Sequence, residues 1–136
     1  MKKTSRQMLQ AILLLIAVVP LVTGLLGILP PGVSSDFYGT SLRADNPGHV
    51  ILDSNYRYYS GLWLGIGLVM LWIIPNVEKQ KLALRMLSLM IFLGGLGRVL
   101  SMVTFGIPHP AFIFFTGLEL AFPLSLLWQA RLVQAQ

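Results

Sequence analysis

Four long apolar runs decide what this sequence can fold into. They cover residues 8–29, 56–74, 82–105 and 111–128, and each has close to the roughly 20 residues that a helix needs to cross a bilayer. Only 11% of the 136 residues are charged, whereas a soluble domain carries about 25%. We therefore predict an all-α membrane protein that forms an antiparallel four-helix transmembrane bundle, with residues 1–136 as a single membrane domain.

The first run has a basic start, like a signal peptide. The run is too long for one, however, and no small-residue cleavage site follows it, so we expect a retained helix, kinked at Pro20. The connection at residues 30–55 is long for a compact bundle. We expect a short helical turn near residues 34–38, a turn at 45–48, and capping residues for the second helix at 53–55.

The positive charges predict the orientation. With four spans, seven lysines and arginines fall on one side and two, Arg43 and Arg57, on the other. Because cytoplasmic loops carry the excess of positive charge, we predict that both termini are cytoplasmic and that the chain is a multi-pass protein of the plasma (inner) membrane. The cations flank apolar runs rather than forming a stripe, so nucleic acid is not an expected partner. The seven are Lys2, Lys3, Arg6, Lys79, Lys81, Arg85 and Arg131.

Two charges lie inside the apolar runs. Arg98 is seven residues before Phe105, about 10 Å from that end of its helix, and Glu119 is eight residues after Ala111, about 12 Å from the same surface. A tight turn joins the third and fourth helices, which makes them neighbours. Charged residues at this depth usually pair and mark a functional site, so we predict an intramembrane ion pair.

The residues near this pair define a candidate ligand-binding site. Two arginines against one glutamate leave a spare positive charge, which suits an anionic or strongly polar group. Small residues on the same helix faces permit close approach of the helices. The candidate residues are Arg57, Arg98, Glu119, Ser101 and Thr116. The alternative, that the pair only fastens two helices together, stays open here.

Several kinds of chemistry are disfavoured. The chain has no cysteine, which excludes disulfides, thiol redox chemistry and iron–sulfur clusters. His49 and His109 fall in predicted connections without the spacing of a metal site, and no histidine lies within a predicted helix to bind haem. We therefore predict no metal and no cofactor.

The last three spans resemble a known family. The stretches that carry the resemblance are Asn55–Gly67, Phe92–Arg98 and Thr116–Glu119. They are similar to a family of small bacterial four-helix membrane proteins that is classed only as a domain of unknown function, and more loosely to the DoxX-like small membrane proteins. The resemblance implies a compact membrane bundle and no particular activity. It includes Arg57, Arg98 and Glu119.

These observations favour a non-catalytic binding or accessory protein. Its partners would be membrane lipids and a lipophilic or anionic small molecule held in the outer half, with a homo- or hetero-oligomer as a further option. A small membrane enzyme that uses Glu119 as acid and base is the alternative. A proton-linked transporter subunit is disfavoured, because the inner halves of the runs offer little besides Ser88 as a polar path.

The orientation is testable because the chain has no cysteine of its own. A cysteine at Ser41 is expected to react with a membrane-impermeant thiol reagent added to whole cells, and a cysteine at Gln80 is expected to react only after lysis. Reversed labelling would contradict the orientation, and labelling of both from outside would contradict the four spans.

Overall fold

The structure of the protein is a computed structural model that describes residues 2–29 and 46–134. These residues form five α-helices and one 3₁₀ turn, and the described part of the chain contains no strand. The helices are α1 (Lys2–Ile28), α2 (Pro47–Ile73), α3 (Lys81–Phe105), α4 (Pro110–Ala121) and α5 (Leu124–Gln134), and the 3₁₀ turn is Ile74–Asn76. The all-α prediction is confirmed.

Four helical segments are long and apolar enough to cross a membrane. They are Lys3–Ile28, Pro47–Asn76, Lys81–Phe105 and Pro110–Val133. Each contains most or all of one predicted run, so the four membrane helices are confirmed. The cytoplasmic placement of the termini stays a prediction.

The second helix begins earlier than predicted. The side chain of Asn46 accepts a hydrogen bond of 2.9 Å from the Gly48 backbone, and Pro47 occupies the first turn, where its missing N–H is not needed. The predicted turn at 45–48 and the predicted caps at 53–55 are therefore wrong. Residues 46–55 are the cap and first turns of α2, and residues 30–45, with the helical turn predicted there, lie outside the described residues.

The fourth span is two helices in sequence. Pro123 has no N–H to donate to the carbonyl of Glu119, and the helix tightens there. That carbonyl accepts a long hydrogen bond of 3.4 Å from the Phe122 N–H instead, and the Ser125 N–H donates to the Phe122 carbonyl at 3.0 Å. The Glu119 carbonyl is therefore not left without a donor. By contrast, α1 continues through Pro20 without a break.

The chain divides into two compact units. One is Ile12–Ile74, and the other is Met1–Ala11 with Pro75–Gln136. The single domain stays a prediction.

In the first unit, glycines bring α1 and α2 together. A Cβ atom on Gly24 would lie 2.7 Å from the backbone nitrogen of Leu64, and one on Gly67 would lie 2.8 Å from the Leu21 side chain. Leu21 of α1 faces Gly67 of α2, and the later residue Gly24 faces the earlier residue Leu64, so the two helices are antiparallel. The Trp63 indole N–H donates to the Thr23 hydroxyl at 3.0 Å, which satisfies a polar group between apolar surfaces.

In the second unit, α3 packs against α4 and α5. Buried residues of α3 recur at helical spacing, at Leu84, Leu87, Ser88, Ile91 and Gly95. The facing helices bury Thr116, Glu119, Phe122 and Gln129. Glu119 therefore lies in the seam between α3 and α4, as the apolar spacing on both sides requires.

Polar side chains close the other end of this unit. Arg6 and Gln10 donate to the Pro75 carbonyl at 2.9 Å and 3.4 Å. Gln129 donates to the Val77 carbonyl, and the Trp128 indole donates to the Ser5 hydroxyl at 2.9 Å. These side chains satisfy carbonyls that follow the end of α2.

The close approach of α1 and α2 gives a prediction. Gly24→Ala is expected to lower the thermal stability of the detergent-solubilised protein, because overpacking costs about 1–3 kcal/mol and here the clash is with backbone. Gly65→Ala is the matched control, because no described atom outside its chain neighbours and the backbone of α2 lies within 4 Å of its Cβ position. It is expected to leave stability unchanged or raise it by about 0.5–1 kcal/mol. Circular dichroism on heating measures both, and equal effects would contradict the packing.

Candidate functional site

Arg98 and Glu119 form the predicted ion pair. The Arg98 Nε atom lies 3.0 Å from Oε2 and 3.1 Å from Oε1 of Glu119. Its single hydrogen is directed at Oε1, so Oε1 accepts the hydrogen bond and the buried Oε2 has no donor. Both residues lie in helices that are long and apolar enough to cross a membrane. The Arg98 side chain is 38% exposed and that of Glu119 is 8% exposed.

Gly95 makes the short distance between the two helices possible. A Cβ atom on Gly95 would lie 3.1 Å from the Glu119 Cβ and 3.1 Å from the Leu120 side chain. Arg98 follows Gly95 by three residues, on the same side of α3, and so reaches the carboxylate across the seam. The expectation that a small residue beside Arg98 admits α4 agrees with this contact.

The other surroundings of Arg98 are open. Its guanidinium carbon lies 5.7 Å from the centre of the Phe112 ring, a cation–π contact. Its terminal nitrogens have no hydrogen-bond acceptor among the described residues. Among residues 2–29 and 46–134, only one of the five N–H groups of Arg98 has an acceptor.

Thr116 and Ser101 differ in their relation to the pair. Thr116 is buried on the Glu119 face of α4, and its hydroxyl donates to the Phe112 carbonyl at 2.8 Å. Ser101 is exposed on α3, three residues after Arg98. Their roles as ligand contacts stay predictions.

Arg57 is already paired within its own unit. Its Nε donates to Asp53 at 2.7 Å, and its NH1 donates to the carbonyl of Ile28, at the end of α1. The spacing of four residues within one helix explains the pairing. The sequence analysis did not predict this pair, because it assigned Asp53 to a loop. The Asn46-Pro47 sequence is a helix-start signal that would have placed Asp53 and Arg57 on one helix. Asp53 balances the charge that we counted as spare.

The two histidines lie at or near the starts of helices. His49 lies in α2 rather than in a connection, and the His109 ring accepts a hydrogen bond of 3.3 Å from the Ala111 N–H at the start of α4. Within residues 2–29 and 46–134, no group of three histidine, aspartate or glutamate side chains is placed to hold a metal ion.

The sequence profile of one family matches residues 8–129. That family is described as a domain of unknown function, DUF4345. The chain belongs to the DUF4345 family. The match covers the first span as well as the three that carried the resemblance, and it includes Arg57, Arg98 and Glu119. No curated protein and no solved structure is significantly similar to the chain.

The pair predicts coupled effects of mutation. Glu119→Gln and Arg98→Gln are each expected to lower thermal stability, because removing one member of a buried pair costs about 3–5 kcal/mol in soluble proteins, and the partial exposure of Arg98 reduces this. The double variant is expected to recover part of the loss, since neither charge is then left alone.

Thermal unfolding of the four proteins in one detergent measures the coupling. Strictly additive losses would contradict a shared environment. Glu78→Gln is the matched control for the glutamate, because Glu78 is 3.8 Å from Arg6 in a partly exposed pair that we expect to contribute little.

Proposed function

We propose that the protein is a non-catalytic binding or accessory protein of the plasma membrane that holds the polar group of a lipid-like small molecule at Arg98. The observation that supports this proposal is that Glu119 engages only one part of the Arg98 guanidinium. Glu119 engages the Nε edge of the guanidinium, and the terminal N–H groups have no acceptor among the described residues.

The position of Arg98 within its helix makes hydrogen-bond donors without an acceptor energetically costly. Arg98 lies about 10 Å from the end of α3, within a helix suited to a membrane. A polar group without a partner in hydrocarbon costs several kcal/mol. A ligand oxygen that accepts from these N–H groups removes that cost. The partial exposure of the side chain gives such a ligand access from the membrane.

The surroundings of Glu119 favour binding over catalysis. General acid–base chemistry on a substrate usually needs a second group that moves protons. Among the described residues, Arg98 is the only titratable side chain that hydrogen-bonds or ion-pairs with Glu119, and arginine does not give up its proton. The carboxylate therefore serves to position and balance the guanidinium.

The proposal is tested on protein extracted in a mild detergent. Native mass spectrometry is expected to show a co-purifying small molecule on the wild-type protein and its loss from Arg98→Gln. Arg85→Gln is the matched control, because Arg85 is an exposed arginine near the start of the same helix. Loss from both variants, or no bound molecule on the wild type, would contradict a site at Arg98.

The same measurement tests the predicted contribution of Arg57. Its contacts with Asp53 and Ile28 give it a role in holding α1 to α2. If Arg57 also serves the site, Arg57→Gln is expected to lower retention of the small molecule. Unchanged retention would restrict Arg57 to its role between α1 and α2.

A further inference from the structure

The charges near Arg98 limit what a ligand there can be. Two arginines near one glutamate suggested an anionic ligand from the sequence. The structure pairs Arg98 with Glu119 and Arg57 with Asp53, so each arginine has its own carboxylate. The inference below rests on the proposed function and concerns the net charge of the ligand at Arg98.

An anion gains little at a guanidinium that is already neutralised. A ligand oxygen bonded to a terminal nitrogen of Arg98 would lie roughly 6 Å from the Glu119 carboxylate, given ordinary hydrogen-bond lengths. The carboxylate repels a second negative charge at that distance and cancels much of the attraction of Arg98. An anion would also lose its hydration on entering the membrane, whereas an uncharged acceptor oxygen loses far less.

Two glycines with open Cβ positions lie beside Arg98 on α3. Gly94 precedes Arg98 by four residues, on a neighbouring face of α3. Apart from their chain neighbours and the backbone of α3 itself, no described atom lies within 4 Å of the Cβ positions of Gly94 and Gly97. The Phe112 ring lies on the guanidinium. Two positions on this side of Arg98 therefore carry no side chain, which leaves room there for the apolar part of a membrane-dissolved molecule.

We infer that the Arg98 site takes an uncharged, membrane-dissolved molecule whose carbonyl oxygen accepts hydrogen bonds from the terminal N–H groups of Arg98, while its apolar part lies over Gly94. Two kinds of molecule share this chemistry. One is a neutral glycerolipid, through an ester carbonyl, and the other is a quinone, through a ring carbonyl.

The test is a competition on delipidated wild-type protein. An equimolar mixture of dioleoylglycerol, ubiquinone-2 and dioleoylphosphatidylglycerol is added, and native mass spectrometry counts the bound species. We expect one of the two neutral molecules to be retained on the order of tenfold or more over the anionic lipid, and which of them is retained identifies the source of the carbonyl. Equal or preferred retention of phosphatidylglycerol would overturn the inference and leave the proposed function standing. Retention of all three at the level of Arg98→Gln would contradict the proposed function itself.

Two variants sharpen the test. Gly94→Leu is expected to reduce retention of the neutral molecule at least about tenfold without changing thermal stability, because its side chain fills the open position beside Arg98 and leaves the ion pair intact. Gly117→Leu is the matched control, because Gly117 is equally open and lies two residues from Glu119, on the far side of α4. Equal retention by the wild type and both variants would overturn the placement over Gly94.

Discussion

The ion pair between Arg98 and Glu119 is the interaction on which the rest of the second unit depends. A lone charge on either helix opposes membrane insertion by roughly 2.5–3.5 kcal/mol on the insertion scale, so each residue is tolerable chiefly because the other is present. The pair requires Gly95, whose missing side chain lets α4 approach α3. It also fixes the rotation of both helices, since a turn of either about its axis would separate the charges.

The same pair is the basis of the proposed binding site. Glu119 holds one edge of the guanidinium and is itself almost fully buried, whereas Arg98 is partly exposed. The carboxylate thus acts as an internal counter-ion, and the arginine presents hydrogen-bond donors with little net charge. The proposed preference for an uncharged acceptor rests on this arrangement of the pair.

Much of the fold and the ion pair of the candidate site were predictable from the sequence. The four spans follow from apolar runs of bilayer length, and the pairing of Arg98 with Glu119 follows from their matched depth on helices joined by a tight turn. The errors came from reading hydropathy alone. Hydropathy placed Asp53 outside the second helix, although Asn46 and Pro47 carry a helix-start signal, and so the neutralisation of Arg57 was missed. The polar contacts of Arg6, Gln10 and Gln129 could not be predicted, because they depend on which carbonyls tertiary packing brings within reach.

The most direct measurement is a distance between Arg98 and Glu119 in a bilayer. The chain has two glutamates, Glu78 and Glu119, so Glu78→Gln leaves one. Solid-state NMR of this variant in lipid, with ¹⁵N at arginine Nε and ¹³C at the glutamate carboxyl carbon, reports that distance without ambiguity in the glutamate. We predict a dipolar coupling that corresponds to less than about 4 Å, as a hydrogen bond requires, and its disappearance in Arg98→Lys. No coupling in folded, bilayer-embedded protein would contradict the pair and the account built on it.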